Sequence, residues 1–411
     1  MMMKTIALLG FLVTVSLAAA AQVEPAATGP ARPSGSFNYS LHDSFIAWWS
    51  DELGNQQADS LSGVISYENG KSKHPLTVDY SGGYTIPLSG ATYDTGYFQN
   101  LRLGETLSGH KWRLRLSDVI AYLPQAPGFG IAGLEDGVGG GPTSGTGSTT
   151  VLTENAHTVN NMTTVGYSIP INFALTFNAD ANYQILRYPG SIGLDTTAIY
   201  GGAGGSWRLD NKTTIGGDLR ESRYSYVGSS IYFTTTSVLA SVTHTWGKGF
   251  SMHASVGPDW IASHGTANFP STTSISFTGG VSYHKRFNTI SADYYHGDNG
   301  GSGVFYGAQF NSITASYARR IEKKTTLTGR FGYIEDSSLQ TGTGSGRSGG
   351  IFAGASCSRR LGRLFSLALG YNITEQAESG NVNGNAFSGT LQGISVSVGY
   401  APKGMKNIEQ R

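Results

Sequence analysis

The chain has 411 residues, of which only 13% are charged, about half the usual ~25%. Its 58 glycines are twice the usual ~7% share, and Lys+Arg 28 against Asp+Glu 27 leaves no basic excess of the kind nucleic-acid binding needs. A single cysteine, Cys357, excludes an internal disulfide framework and a paired-cysteine zinc or redox site.

Residues 1–21 read MMMKTIALLGFLVTVSLAAAA, with Lys4 as a positive leader, Ile6 to Leu17 as an apolar core and Ala19 to Ala21 as a small-residue cleavage site. That is the pattern of a cleaved secretory signal peptide. Residues 22–36 carry Pro25, Pro30 and Pro33 and little that is apolar, which predicts a disordered leader. A single barrel domain is expected over 37–400 and a tail over 401–411.

From Phe37 onward one pattern repeats. Segments of about ten residues alternate apolar and polar with period two, and Gly, Asn, Asp and Ser separate them. Trp112, Leu114 and Leu116 oppose Lys111, Arg113 and Arg115. Phe173, Leu175, Phe177, Ala179, Ala181, Tyr183 and Ile185 oppose Ala174, Thr176, Asn178, Asp180, Asn182 and Gln184. Val238, Ala240 and Val242 form another such row, as do Phe365, Leu367 and Leu369, and the last is Ile394, Val396, Val398 and Tyr400. Side chains of a strand point alternately to its two faces, so each segment carries one apolar and one polar face.

Short connections fall near 69–74, 108–110, 169–171, 209–212, 247–249, 285–288, 319–324 and 359–363. Longer ones fall between them, near 46–56, 87–96, 124–156, 187–194, 227–230, 262–271, 297–302, 335–348 and 374–387. Eight short turns and nine longer loops predict an all-β, antiparallel up-and-down barrel of about eighteen strands, within a range of 16–18. Aromatic residues of the apolar phase support a membrane location. Trp112, Tyr167, Trp207, Trp246, Tyr283, Tyr317 and Tyr400 lie beside short turns, and Tyr183, Trp260, Tyr294, Tyr333 and Tyr371 lie toward long loops. Two interfacial rings of this kind are what a bilayer selects.

Two residues misfit the alternation. Asp118 falls in the apolar phase between Leu116 and Ile120. A carboxylate facing lipid is unfavourable, so the pattern predicts a bulge near Ser117–Asp118 or a protomer contact covering Asp118. Glu221, in phase with Ile215 and Leu219, predicts a second bulge that turns Tyr224 and Tyr226 outward.

The polar phase supplies candidate pore-lining residues: Arg102, Arg113, Arg115, Thr176, Asn178, Asp180, Asn182, Gln184, Asp218, Arg220, His253, Asp259, His284, Asp293 and Arg330. They either solvate the interior or tune which solutes pass, since rings of side-chain charge set pore selectivity. The Gly-rich loop 124–156, third in the long series, carries Glu135 and Asp136 as candidates for a constriction. Gly344 to Gly349 reads GSGRSG but sits among Gly, Ser and Thr with no following helix, so no dinucleotide site is expected. His264, His296, Asp259 and Asp298 could meet at the loop end as a hydrolase-like set. The pattern favours no enzyme, no catalytic or metal residues and no cofactor.

The terminal segment GISVSVGY, with Gly393, Val396, Val398 and Tyr400, together with the turn asymmetry and aromatic rows, resembles the porin-like outer-membrane β-barrels of Gram-negative bacteria over about Phe37 to Tyr400. TGYFQNLRL, LSDVIAYLPQAP and LRYPGSIGLDT look like segments of uncharacterised barrels of this kind. The resemblance implies export across the inner membrane, insertion by the barrel-assembly machinery and contact with outer-membrane lipids and lipopolysaccharide. It implies a channel for passive diffusion of small hydrophilic solutes, possible homo-oligomers, and no nucleic-acid partner. The alternative is a non-conducting barrel acting as adhesin or scaffold through its surface loops.

Overall fold

The computed structural model describes residues 36–401, apart from 52–53, 70–73, 90–95, 126–155, 191–192, 248, 266–270, 302, 323, 342–344, 381 and 383–386. The expected signal peptide, nearly all of the leader and tail, and Glu135 and Asp136 lie outside the described residues.

Eighteen strands follow one another: β1 (Ser36–Ser50), β2 (Gly54–Glu68), β3 (Leu76–Ser89), β4 (Gly96–Ser108), β5 (Arg113–Gln125), β6 (Ala156–Pro170), β7 (Leu175–Arg187), β8 (Thr196–Arg208) and β9 (Thr213–Tyr226), then β10 (Tyr232–Trp246), β11 (Phe250–His264), β12 (Thr272–Lys285), β13 (Asn288–Asn299), β14 (Ala308–Glu322), β15 (Thr325–Ser338), β16 (Gly346–Leu361), β17 (Phe365–Gly380) and β18 (Gly389–Tyr400). Each pairs antiparallel with its sequence neighbours, and β1 also pairs with β18, so the sheet closes and has no free edge. Leu41 stands opposite Gly63 on one side and Tyr400 on the other.

Local chemistry sets the short turns. Asp210 accepts from the backbone N–H of Lys212 (2.6 Å) and Thr213 (2.7 Å), folding the β8–β9 connection. Asn172 does the same for Ala174 and Leu175, both at 2.8 Å. These are side-chain mimics of a backbone turn. Arg286, in the tight β12–β13 turn, is the one described non-glycine residue with positive φ, at 57°. A two-residue hairpin turn requires that sign.

The apolar phase faces out. Leu61, Val238, Ile275, Leu369 and Val398 are all exposed, as are the aromatics Trp207, Trp246, Trp260 and Tyr371. No described helix is long and apolar enough to cross a membrane, but a closed barrel pairs its backbone groups between strands and needs none.

Four sequence expectations require correction. Pairing runs regularly through Asp118, which faces Leu103 on β4 and Thr163 on β6, so there is no bulge at Ser117–Asp118. The Asp118 carboxylate stays on the outer face and accepts from Thr163 Oγ1 (2.7 Å) and Asn161 Nδ2 (3.0 Å), polar neighbours that replace the bulge as its accommodation. Pairing is also regular through Glu221, and Tyr224 and Tyr226 point inward, each 4% exposed. The irregularities instead fall at Gln57/Ala58 and Arg320/Glu322. The connection expected over 46–56 shrinks to 51–53, because β1 and β2 extend up to it. Phe173, expected in a strand, lies in the β6–β7 turn and is 94% exposed.

Candidate channel interior

The polar phase faces in, and its accessibility changes along each strand. On β7, Asp180 is exposed, Asn182 half-buried and Gln184 buried, and the next inward residue, Leu186, is buried too. On β9, Arg220 is exposed and Ser222 half-buried, whereas Tyr224 and Tyr226 are buried. On β1, Ser40, His42 and Ser44 are half-buried, and Ile46, Trp48 and Ser50 are buried. The interior is therefore accessible toward the short-turn end and filled toward the long-loop end.

The filling is a loop. Between β13 and β14, residues 300–301 and 303–307 fold into the barrel and bury Val304 and Phe305, the latter 1% exposed. The backbone of Leu194 donates to Gly303 O (2.7 Å), Tyr226 Oη donates to Gly300 O (3.2 Å), and Leu339 N donates to Gly307 O (3.1 Å). Gly301, Gly303 and Gly307 have φ of 81°, 81° and 84°, a conformation that L side chains rarely adopt. A side chain on Gly303 would also run into the Tyr188 ring, and one on Gly307 into Phe233. Beneath the loop, Tyr224 stacks on Phe233 (4.6 Å) and meets Tyr200 edge-on (5.5 Å). Burial, with Asp336 and Asp195 nearby, pushes the Tyr188 hydroxyl well above the usual tyrosine range, so it stays neutral. A second buried cluster, Ile46, Trp48, Ala58, Phe387 and Leu391, holds Phe387, just before β18, inward as well. A small cavity remains among Gln184, Thr196, Tyr200, Tyr224, Asn299 and Gly300.

Below the loop, the charged residues named from the sequence sit either side of glycines. Gly202 lies between Asp180 on β7 and Arg220 on β9: an added Cβ would stand 3.1 Å from Asp180 Oδ1 and 3.5 Å from Arg220 Cγ. Gly280 lies between His253 on β11 and Asp293 on β13, whose ring nitrogen and carboxylate are 4.0 Å apart. Gly354 lies between Arg330 and Asn372. A missing side chain on the middle strand lets the groups on the outer two lean toward each other. Arg102 on β4 stands directly opposite Asp79 on β3, and Arg113 and Arg115 project from the start of β5 near its short turn. Thr176 and Asn178 continue the β7 row downward, Asp218 lies against Gly204, and His284 Nδ1 is 3.0 Å from Thr289 Oγ1.

Of the loop-end set, Asp259 and Asp298 meet in the interior, and Ser237 Oγ donates to Asp259 (3.0 Å). The histidines do not join them: His264 stacks on Tyr232 (4.5 Å), and His296 bonds Asn311. No cluster of three metal-ligating side chains occurs among the described residues.

The sequence pattern missed the inward loop. GDNGGSGVFYGAQF over 297–310 held the signal: an apolar Val-Phe-Tyr run flanked by glycines, in a connection that would otherwise be wet.

A closed antiparallel barrel with an apolar outside and a polar inside is a transmembrane β-barrel. No family model matches the chain. No curated protein matches it in sequence. Among solved structures, it is similar to OccK2 (OpdF) of Pseudomonas aeruginosa in complex with glucuronate, at 12% identity and a TM-score of 0.46, over 89% of this chain and 98% of that one. It is similar to OccAB3 of Acinetobacter baumannii at 9% identity and 0.44, over 90% and 99%. It is also similar to Pseudomonas aeruginosa OpdK with vanillate, at 13% and 0.45, over 89% and 98%. Likeness at that level concerns the barrel and not its cargo.

Proposed function

We propose that the protein is an outer-membrane channel of a Gram-negative bacterium that passes small hydrophilic solutes by passive diffusion. The observation that carries this reading is the graded interior, polar and accessible at the short-turn end and narrowed by the 300–307 loop at the other. Barrels of 16–18 strands are wide enough for an aqueous path. The residues Arg102, Arg113, Arg115, Thr176, Asn178, Asp180, Asn182, Asp218, Arg220, His253, His284, Asp293 and Arg330 line that path on this reading, and Gln184 and Asp259 belong to its filled loop end. Opposed charges such as Arg102 and Asp79 give it a polar surface without a large net field. Its surroundings are outer-membrane lipid and lipopolysaccharide, and the barrel-assembly machinery inserts it. It carries no catalytic residues and no cofactor. We take Glu135 and Asp136, in the loop 124–156, as candidates for a further narrowing of that path.

Planar-bilayer recording of purified protein tests the proposal. Reproducible conductance steps, with a reversal potential in a salt gradient, support a channel. The packed clusters at the loop end favour a second reading, a sealed scaffold or adhesin, and a silent but folded barrel would establish that one instead.

A further inference from the structure

The short-turn end of the barrel is strongly basic on one side. Three successive short turns between β12 and β17 carry exposed cations: Lys285 and Arg286 at the first, Arg319 and Lys324 at the second, Arg359 and Arg363 at the third. Arg320 and Arg360 lie beside them, and among the described residues Glu322 is the one acid at this side of the end. Elsewhere on the same end Lys111, Arg113, Arg208 and Lys212 are offset by Glu68, Glu105 and Asp210. No described ion pair engages any cation of the basic side. A merely solvated rim needs no such one-sided excess, and repulsion among its own cations works against it.

The register says which way they point. Lys285, Asn288 and Arg319 stand side by side across β12, β13 and β14. Lys285 is two residues beyond Tyr283 and Arg319 two beyond Tyr317, so each shares the outward phase of its strand. Tyr317 Oη, on that same outer face, donates to Asn288 Oδ1 (3.5 Å). Arg359 follows Cys357 in the outward phase of β16, opposite Thr325 and Leu367. Two residues at ~3.3 Å each, in a strand tilted by ~40°, descend ~5 Å. Aromatic side chains of this kind mark the headgroup level of a bilayer. The outward cations therefore lie at the phosphates, with their aliphatic stems along the apolar wall. Arg286, Lys324 and Arg363 continue the basic surface at the turns, whereas Arg320 and Arg360 take the opposite phase, toward the mouth.

We propose that the β12–β17 rim is a docking surface for anionic phospholipid of the periplasmic leaflet, with headgroup phosphates seated on Lys285, Arg319 and Arg359. The inference rests on the outer-membrane reading, which turns the short connections toward the periplasm. Charge complementarity names the occupant: a headgroup with net negative charge gains from every cation of the rim, whereas a zwitterionic one sets its own ammonium against them. Each Lys or Arg close to an anionic lipid surface favours it about fivefold, and salt screens the attraction. A polyanionic polymer in the periplasm would reach the turns at Arg286, Lys324 and Arg363. It would not reach Lys285, Arg319 and Arg359, which stand on the bilayer side of the wall just beyond the aromatic row.

The test uses the full-length protein, extracted from outer membranes in mild detergent and titrated with phosphatidylglycerol or phosphatidylethanolamine of the same acyl chains. Native mass spectrometry counts the lipids retained. Retention of phosphatidylglycerol should exceed that of phosphatidylethanolamine at least ~tenfold at low salt and fall as salt is raised. Equal retention of the two overturns the inference. The triple variant Lys285→Gln, Arg319→Gln, Arg359→Gln should lose at least ~fivefold of the preference, and Arg319→Lys with Arg359→Lys, which keeps the charge, should retain it. Lys111→Gln with Lys212→Gln, away from this rim, should retain it too; an equal loss there overturns the assigned site. Heat-modifiable mobility in SDS gels verifies that each variant is folded. Co-sedimentation with delipidated peptidoglycan, abolished in the triple variant and without any lipid preference, would overturn the lipid in favour of the polymer. Protein found in the outer-membrane fraction but indifferent to headgroup charge defeats the lipid site alone. Protein absent from that fraction defeats the membrane reading itself.

Discussion

Removing the side chain that anchors the inward loop should widen the path without harming the wall. Phe305 is 1% exposed, and Val304 is fully buried beside it. Phe305→Ala therefore sacrifices packing worth ~3–5 kcal/mol, with the larger value where the gap cannot collapse. The loop's other ties are the hydrogen bonds from Leu194, Tyr226 and Leu339. Each is worth ~0.5–1.5 kcal/mol net, so together they roughly equal what the phenyl ring supplies and cannot replace it. A loss of ~3 kcal/mol shifts the docked-to-undocked balance about 150-fold. Because Phe305 lies in a connection and not in a strand, the eighteen-strand ladder should survive, which heat-modifiable mobility in SDS gels would verify. In planar bilayers the variant should show a larger step or a noisier open level, and liposome swelling should admit larger sugars. A correctly folded Phe305→Ala barrel with unchanged conductance, noise and size cut-off would refute the idea that 300–307 narrows the path.

Cysteine at Asn182, in a Cys357→Ser background, should react with small membrane-impermeant thiol reagents in liposomes, and cysteine at Phe177 should not; equal labelling would mean the two faces of β7 are misassigned. Gly202→Val should drive a side chain between Asp180 and Arg220 and alter ion preference, read as a changed reversal potential in a salt gradient. Backbone N–H groups of Lys212 and Thr213 hold the Asp210 carboxyl below the ordinary carboxylate range. Its stabilising contribution is therefore present above the unfolded value of ~3.9 and lost as pH falls through the folded value. Asp210→Asn should flatten that acid limb of the urea-unfolding midpoint, and an unchanged limb would show that the turn does not contribute to it. Deleting about Gly128 to Ser148 should raise conductance, and an unchanged step would place Glu135 and Asp136 outside the path.

Strand number, the inward and outward faces and the up-and-down order are all legible in the sequence, because each depends on period-two alternation and on turn residues acting locally. The row Thr176 to Gln184 faces inward with Phe177 and Tyr183 outward, as the alternation implies. The same local reasoning failed at Asp118 and Glu221. It treated a single polar residue on an apolar face as a break in the strand, when neighbours on β6, Asn161 and Thr163, already met Asp118 side by side. Neighbours across a sheet are fixed by register, which a single strand's pattern does not contain. Closure of β1 on β18, the pairing of His253 with Asp293 across Gly280, and the packing of Gly303, Gly300 and Gly307 against Tyr188, Tyr224 and Phe233 were decided only by the tertiary structure. Each joins residues far apart in the chain, and burial rewards them only once the barrel has closed around them.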